Sequence, residues 1–138
     1  DKVVSWASPS NFLNKFSSNE KLEKWKKMDV AYIYNGRTKQ NMPMYFQFYE
    51  NCKANTKRLN IQDAVSKMSI PHLVVHGSDD PTVLINEANA LKSWNTNVNL
   101  HIIKGANHVL GGFHPYDLEE FPKDLKEAID ITLVFLKR

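Results

Sequence analysis

Between Pro71 and Gly77 the chain reads His72-Leu73-Val74-Val75-His76, an apolar run closed by a proline on one side and a glycine on the other. Such a run, too short for a helix and without polar alternation, marks a strand covered on both faces. Strands of that kind belong to parallel sheets flanked by helices. A second strand is predicted over Asn99–Ile103, closed by Lys104-Gly105. Between the two, Leu84, Ala88, Leu91 and Trp94 recur at helical spacing. Pro122 opens a last helix that is expected to turn Leu125, Ala128, Ile129, Thr132, Phe135 and Leu136 inwards. Strand, helix, strand, loop and helix with connections this short describe the end of an open α/β sheet.

Upstream the pattern differs. Asp1–Ala7 reads as a strand on the strength of Val3, Val4 and Trp6. It starts without an initiator methionine or a leading loop, so the chain is expected to have been cut from something larger. After Ser8-Pro9-Ser10 a helix is predicted, with Ser17 and Glu20 at capping-box spacing and Leu22 and Trp25 as its apolar stripe. Lysines 21, 24, 26 and 27 on that segment suit a solvated helix face better than an anion site. A loop is predicted from Asn35-Gly36 to Pro43, with Pro43 opening a further helix that puts Tyr45, Phe48 or Tyr49, and Cys52 on one face. Asn60 then caps a shorter helix that buries Ile61, Ala64, Val65 and Met68.

Composition narrows the function classes. With 138 residues, 42% of them hydrophobic, the chain can build a core and is not a disordered segment. The formal charge of +3 is spread along the sequence, which argues against a nucleic-acid partner. No apolar run approaches the roughly 20 residues of a membrane span, and no signal peptide opens the chain, so no membrane partner is expected. The single cysteine, Cys52, excludes an internal disulfide and fits a reducing compartment, hence a cytoplasmic protein.

The chemistry gathers just past two strand ends, where sites form in open α/β sheets. Asp80 lies three residues beyond Gly77, and His108 three residues beyond Gly105. Adjacent parallel strands would bring both loops to one edge, where a carboxylate accepting from a ring N–H fixes the tautomer of a general base. Against this stands the plainer reading of Asp80 as a turn former in Gly-Ser-Asp-Asp-Pro, with Asp79 as rival acid or supporting residue. His72 and His76 stand four residues apart, the spacing of a helical zinc pair. On a strand that spacing is roughly 13 Å, too far to share an ion. His76 is therefore read as a buttress of the acid loop. His114 lacks a third ligand, and neither a metal nor any other cofactor is expected.

IPHLVVHGSDDPTV followed by LHIIKGANHV resembles the carboxyl-terminal part of an α/β-hydrolase, in the dienelactone-hydrolase-like and serine-esterase branches. In that family the acid follows the seventh strand as G-x-x-D-x-x-V and the histidine follows the eighth as G-x-x-H. Gly77, Asp80 and Val83 match the first pattern, and Gly105 and His108 the second. The resemblance implies an α/β fold holding parallel strands six to eight, with residues 1–7 as the sixth strand, 8–69 as a helical cap insertion and 70–138 as the end of the core. It implies Asp80 and His108 as catalytic acid and base acting on a small ester-like substrate. Tyr45, Phe48 and Tyr49 become candidates for lining a pocket beneath the cap, with helix packing as the alternative.

The family's G-x-[SC]-x-G nucleophile elbow occurs nowhere in these residues, and Cys52 lacks its glycines. The resemblance therefore implies a nucleophile upstream of Asp1, in a missing amino-terminal half of the fold, and a chain that is inactive by itself. A first strand without that half exposes an edge, through which the chain is expected to dimerise or exchange a segment. The alternative function is a non-catalytic binding module on the same fold.

Overall fold

The strand at 72–77 forms because its side chains find apolar partners on both sides at once. All six of its residues are buried. Leu73 and Val75 pack with Ile103, Ala106, Leu110 and Ala128 on one face of the sheet. On the other face Val74 meets Val65, Ala88, Leu91 and Val98. The alternation of side chains along the strand thus feeds two separate clusters, each roofed by helix.

The computed structural model describes the chain except residues 17 and 37 and the side chains of residues 14 and 15. In chain order the elements are β1 (Val3–Trp6), a 3₁₀ helix (Leu13–Phe16), α1 (Asn19–Met28), β2 (Val30–Asn35), β3 (Gln40–Tyr45), α2 (Gln47–Ala54), α3 (Ile61–Lys67), β4 (His72–Gly77), α4 (Ile85–Trp94), β5 (Val98–Ile103) and α5 (Lys123–Lys137). They form two compact units, one of Asp1–Ser10 with Ile61–Arg138 and one of Asn11–Asn60.

The first unit is a three-stranded sheet in the order β1-β4-β5. Both pairings are parallel, with Val3 opposite His72 and His72 opposite Val98. The strands predicted from the apolar runs are present, and so are the helix between them and the last helix. Within α5, Leu125, Ala128 and Phe135 face the cluster as expected, while Ile129 and Thr132 are not part of it. Leu136 is exposed, and Ile131 packs against the cluster instead. In α3, Val65 is buried as expected while Ala64 is exposed. Asn95 ties α3 to the end of α4 by donating from Nδ2 to the carbonyls of Val65 at 2.6 Å and Met68 at 2.7 Å.

The second unit departs from the helical reading. Where a loop running into a helix was expected, Val30–Tyr45 is an antiparallel hairpin, with Val30 opposite Tyr45 and Asn35 opposite Gln40. Pro43 therefore lies within β3 opposite Tyr32, not at a helix start. A two-stranded ribbon has an open edge on each strand, and a residue without an N–H is tolerated there. Tyr45 ends β3 and does not share a helix face with Cys52. Of the capping box expected at Ser17 and Glu20, Ser17 lies outside the described residues, and Glu20 lies in the first turn of α1. The unit's small core is aromatic. Trp25 and Phe46 stand edge to face with centroids 5.4 Å apart, and Trp25 Nε1 donates to the Met44 carbonyl at 2.9 Å. Cys52 is buried in α2.

Candidate active site

β4 and β5 run parallel and side by side, so the loops that leave their carboxyl ends emerge together. The contact between them is close. Ser78 N donates to the Ile103 carbonyl at 3.0 Å and Asp79 N to the Ala106 carbonyl at 3.1 Å. Gly77 is required where β4 ends, because a Cβ there would lie 2.2 Å from the Ala106 carbonyl oxygen.

Asp80 and His108 meet across these loops. Nδ1 of His108 lies 2.8 Å from Oδ2 of Asp80. The other carboxylate oxygen, Oδ1, accepts from the backbone N–H of Thr82 at 2.8 Å and of Val83 at 2.9 Å. Asp80 is 3% exposed, whereas the His108 side chain is 37% exposed. Burial opposes ionisation of Asp80, but the N–H groups of Val83 and Thr82 together with His108 outweigh it and hold the carboxyl below the usual range. The carboxylate can then only accept, so Nδ1 of His108 carries the shared proton, and in the neutral ring Nε2 keeps its lone pair. A histidine in this tautomer can take a proton at Nε2 and share the resulting charge with the acid behind it.

Val83 explains why an apolar residue follows the acid at that spacing. Its side chain is buried, its N–H holds Asp80, and its carbonyl accepts from Nε2 of His76 at 2.8 Å. His76 is fully buried, and its Nε2 is 3.7 Å from Oδ2 of Asp80, beyond a hydrogen bond. It braces the acid loop through the Val83 backbone. The histidine loop has its own organiser in Asn107, whose Oδ1 accepts from Val109 N and Gly111 N, each at 3.1 Å. The sequence reading passed over Asn107 and Ser78. The available signal was a short polar side chain beside a turn glycine, which bonds nearby backbone but does not say which strand end it will reach.

The other candidates are on other elements. Tyr45, Phe48 and Tyr49 belong to the second unit, where Tyr45 and Phe48 are exposed and the Phe16 ring stands 6.0 Å from both Phe48 and Tyr49. His72 is buried in β4, with Nε2 2.9 Å from the hydroxyl of Ser5 on β1. Among the described residues no group of three His, Cys, Asp or Glu side chains converges as metal ligands.

The two buried groups predict how stability varies with pH. Burial lowers the pKa of His72 below 6.5, so on acidification the unfolded chain takes up a proton that the folded chain refuses, and stability falls as the pH drops below 6.5. The lowered pKa of Asp80 adds stability that is present above 3.8 and lost as the pH falls through the folded value. Urea unfolding across this range is expected to show both stages, and His72→Gln to remove the upper one alone. An unchanged upper stage in that variant would contradict the assignment.

Neither a protein-family model nor a curated protein sequence matches the chain. Solved structures do. A bromoperoxidase from Bacillus anthracis superposes with a TM-score of 0.55 at 20% identity, over 100% of this chain and 58% of its own. The esterase domain of a Rhodothermus marinus protein gives 0.51 at 18% identity, over 80% of this chain and 44% of its own. Est1E from Butyrivibrio proteoclasticus gives 0.51 at 19% identity, over 71% and 36%. The fold is that of an α/β-hydrolase. Its parallel sheet β1-β4-β5 and flanking helices are the part of that fold which this chain holds. The chain spans from 36% to 58% of the length of these three structures. Among the described residues no helix is long and apolar enough to cross a membrane.

Proposed function

We propose that this chain supplies the acid and the general base of a nucleophile–His–Asp hydrolase that cleaves ester or related acyl bonds, the nucleophile lying outside these residues. The reading is carried by the 2.8 Å contact between His108 and a buried, ionised Asp80 at the carboxyl ends of adjacent parallel strands. Asp80 holds the proton on Nδ1, and Nε2 takes the proton of an incoming hydroxyl or thiol as it attacks the acyl carbon. The same nitrogen returns the proton to the departing alcohol, and a second cycle with water releases the acid. One of the structural neighbours is named as an esterase domain, and the spacing of Gly77, Asp80 and Val83 favours the dienelactone-hydrolase-like and serine-esterase branches. A cytoplasmic setting rests on the lone, buried Cys52.

Pre-steady-state kinetics test the proposal. A longer protein that includes this segment is expected to release p-nitrophenol from p-nitrophenyl acetate in a burst equal to the enzyme concentration, while these 138 residues alone give no turnover. A longer protein that hydrolyses no ester would leave a binding module on a hydrolase fold.

A further inference from the structure

The alignment of Asp80 with His108 depends on where two separate strand-end loops stand relative to each other. Two of the contacts that set this distance are backbone bonds, from Ser78 N and Asp79 N. A third is made by a side chain. The hydroxyl of Ser78 accepts from the backbone N–H of Gly105 at 2.7 Å and donates to Oδ1 of Asp79 at 2.7 Å. Gly105 ends the β5 turn with φ +78°, which presents its N–H towards the neighbouring loop. Ser78 is two residues before the acid, and Gly105 three residues before the histidine.

We infer that the Ser78 hydroxyl is a positioning group that latches the acid loop to the histidine loop and thereby fixes the Asp80–His108 contact. The orientation of the hydroxyl is set from both sides. Asp79 draws its proton, so the oxygen lone pairs face the Gly105 N–H, and a hydrogen bond with a charged partner at one end is stronger and shorter than a neutral one. This gives Asp79 a supporting role and removes it as a rival acid. The inference rests on the acid–base reading of the dyad and adds to it a residue that touches neither the reacting nitrogen nor a substrate.

The test reads the low-field Nδ1 proton of His108 by NMR in the 138-residue chain. In Ser78→Ala its exchange with water is expected to rise about five- to tenfold, the effect of one net hydrogen bond. Ser78→Thr, which keeps the hydroxyl, is expected to stay near the unaltered chain. Backbone amides of Val74 and Leu91 in the core are expected to exchange at unchanged rates in both variants. Equal acceleration at the core amides would mean that Ser78 acts on the fold as a whole, and would overturn the inference. So would a His108 proton indifferent to Ser78→Ala but abolished by Asp80→Asn, an outcome that leaves the dyad intact. A proton already missing from the unaltered chain would remove the dyad itself and both readings with it.

Discussion

On the proposed acid–base reading, Asp80→Asn in a longer protein that includes this segment is expected to lower kcat by about 10³- to 10⁴-fold while KM changes little. The size of the effect follows from which atoms the carboxylate bonds. Oδ1 accepts from two backbone N–H groups, those of Thr82 and Val83. In Asn the amide oxygen must occupy that site, because an NH₂ group cannot accept from either donor. The NH₂ then faces Nδ1 of His108, where the carboxylate oxygen stood at 2.8 Å. Nδ1 becomes the acceptor, the ring proton moves to Nε2, and the nitrogen that should receive the nucleophile's proton already carries one. His108→Ala removes the base altogether and is expected to cost at least about 10³-fold. Steady-state turnover of a short p-nitrophenyl ester, with circular dichroism to show that each variant folds, makes the comparison. Activity within about tenfold of the unaltered enzyme in both variants would contradict the assignment.

The second large effect is on stability. Gly77→Ala places a Cβ 2.2 Å from the oxygen, 2.7 Å from the carbon and 3.1 Å from the Cβ of Ala106. Ala106 cannot retreat. It is fully buried in the core cluster, its N–H bonds the Ile103 carbonyl at 3.3 Å, and its own carbonyl holds Asp79 N. The substitution is expected to cost about 3 kcal/mol or more, a large share of the roughly 5–15 kcal/mol by which domains are stable. Because the strain falls between the two loops, it also drives Asp80 away from His108. Gly36→Ala is the control, since among the described residues nothing lies within 4 Å of the added methyl, and it is expected to change stability by less than about 0.5 kcal/mol. Urea midpoints separate the two. Equal midpoints for Gly77→Ala and Gly36→Ala would show that the loops do not meet as described.

How much of this was legible in the sequence depends on where each signal resides. The run around Val74 and Val75 announces β4 because burial on both faces leaves no polar position to confuse the reading. Asp80 and His108 were legible because each stands at a fixed distance from a glycine that closes a strand, and parallel pairing turns that distance into proximity. The hairpin over 30–45 was not. Tyr32, Ile33 and Tyr34 are exposed, so no alternation of buried and polar residues marks β2, and Pro43 reads as a helix start until Tyr32 is seen opposite it. The contact of Ser5 with His72 joins residues 67 apart in sequence and needs the β1–β4 register to be known. Ser78 was hidden for a different reason. A serine in a turn bonds some nearby N–H as a matter of course, and only the arrival of Gly105 from the neighbouring strand makes that bond a link between two halves of a site.

The central claim is that His108 serves as general base to a nucleophile outside this chain. The most direct measurement is a crystal structure of the longer protein after reaction with a phosphonate ester. The account predicts a serine or cysteine, modified, in a G-x-[SC]-x-G turn, with its side-chain oxygen or sulfur within about 3–3.5 Å of Nε2 of His108. A phosphonate on a residue remote from His108, or a turn in that position with no nucleophile to modify, would contradict it.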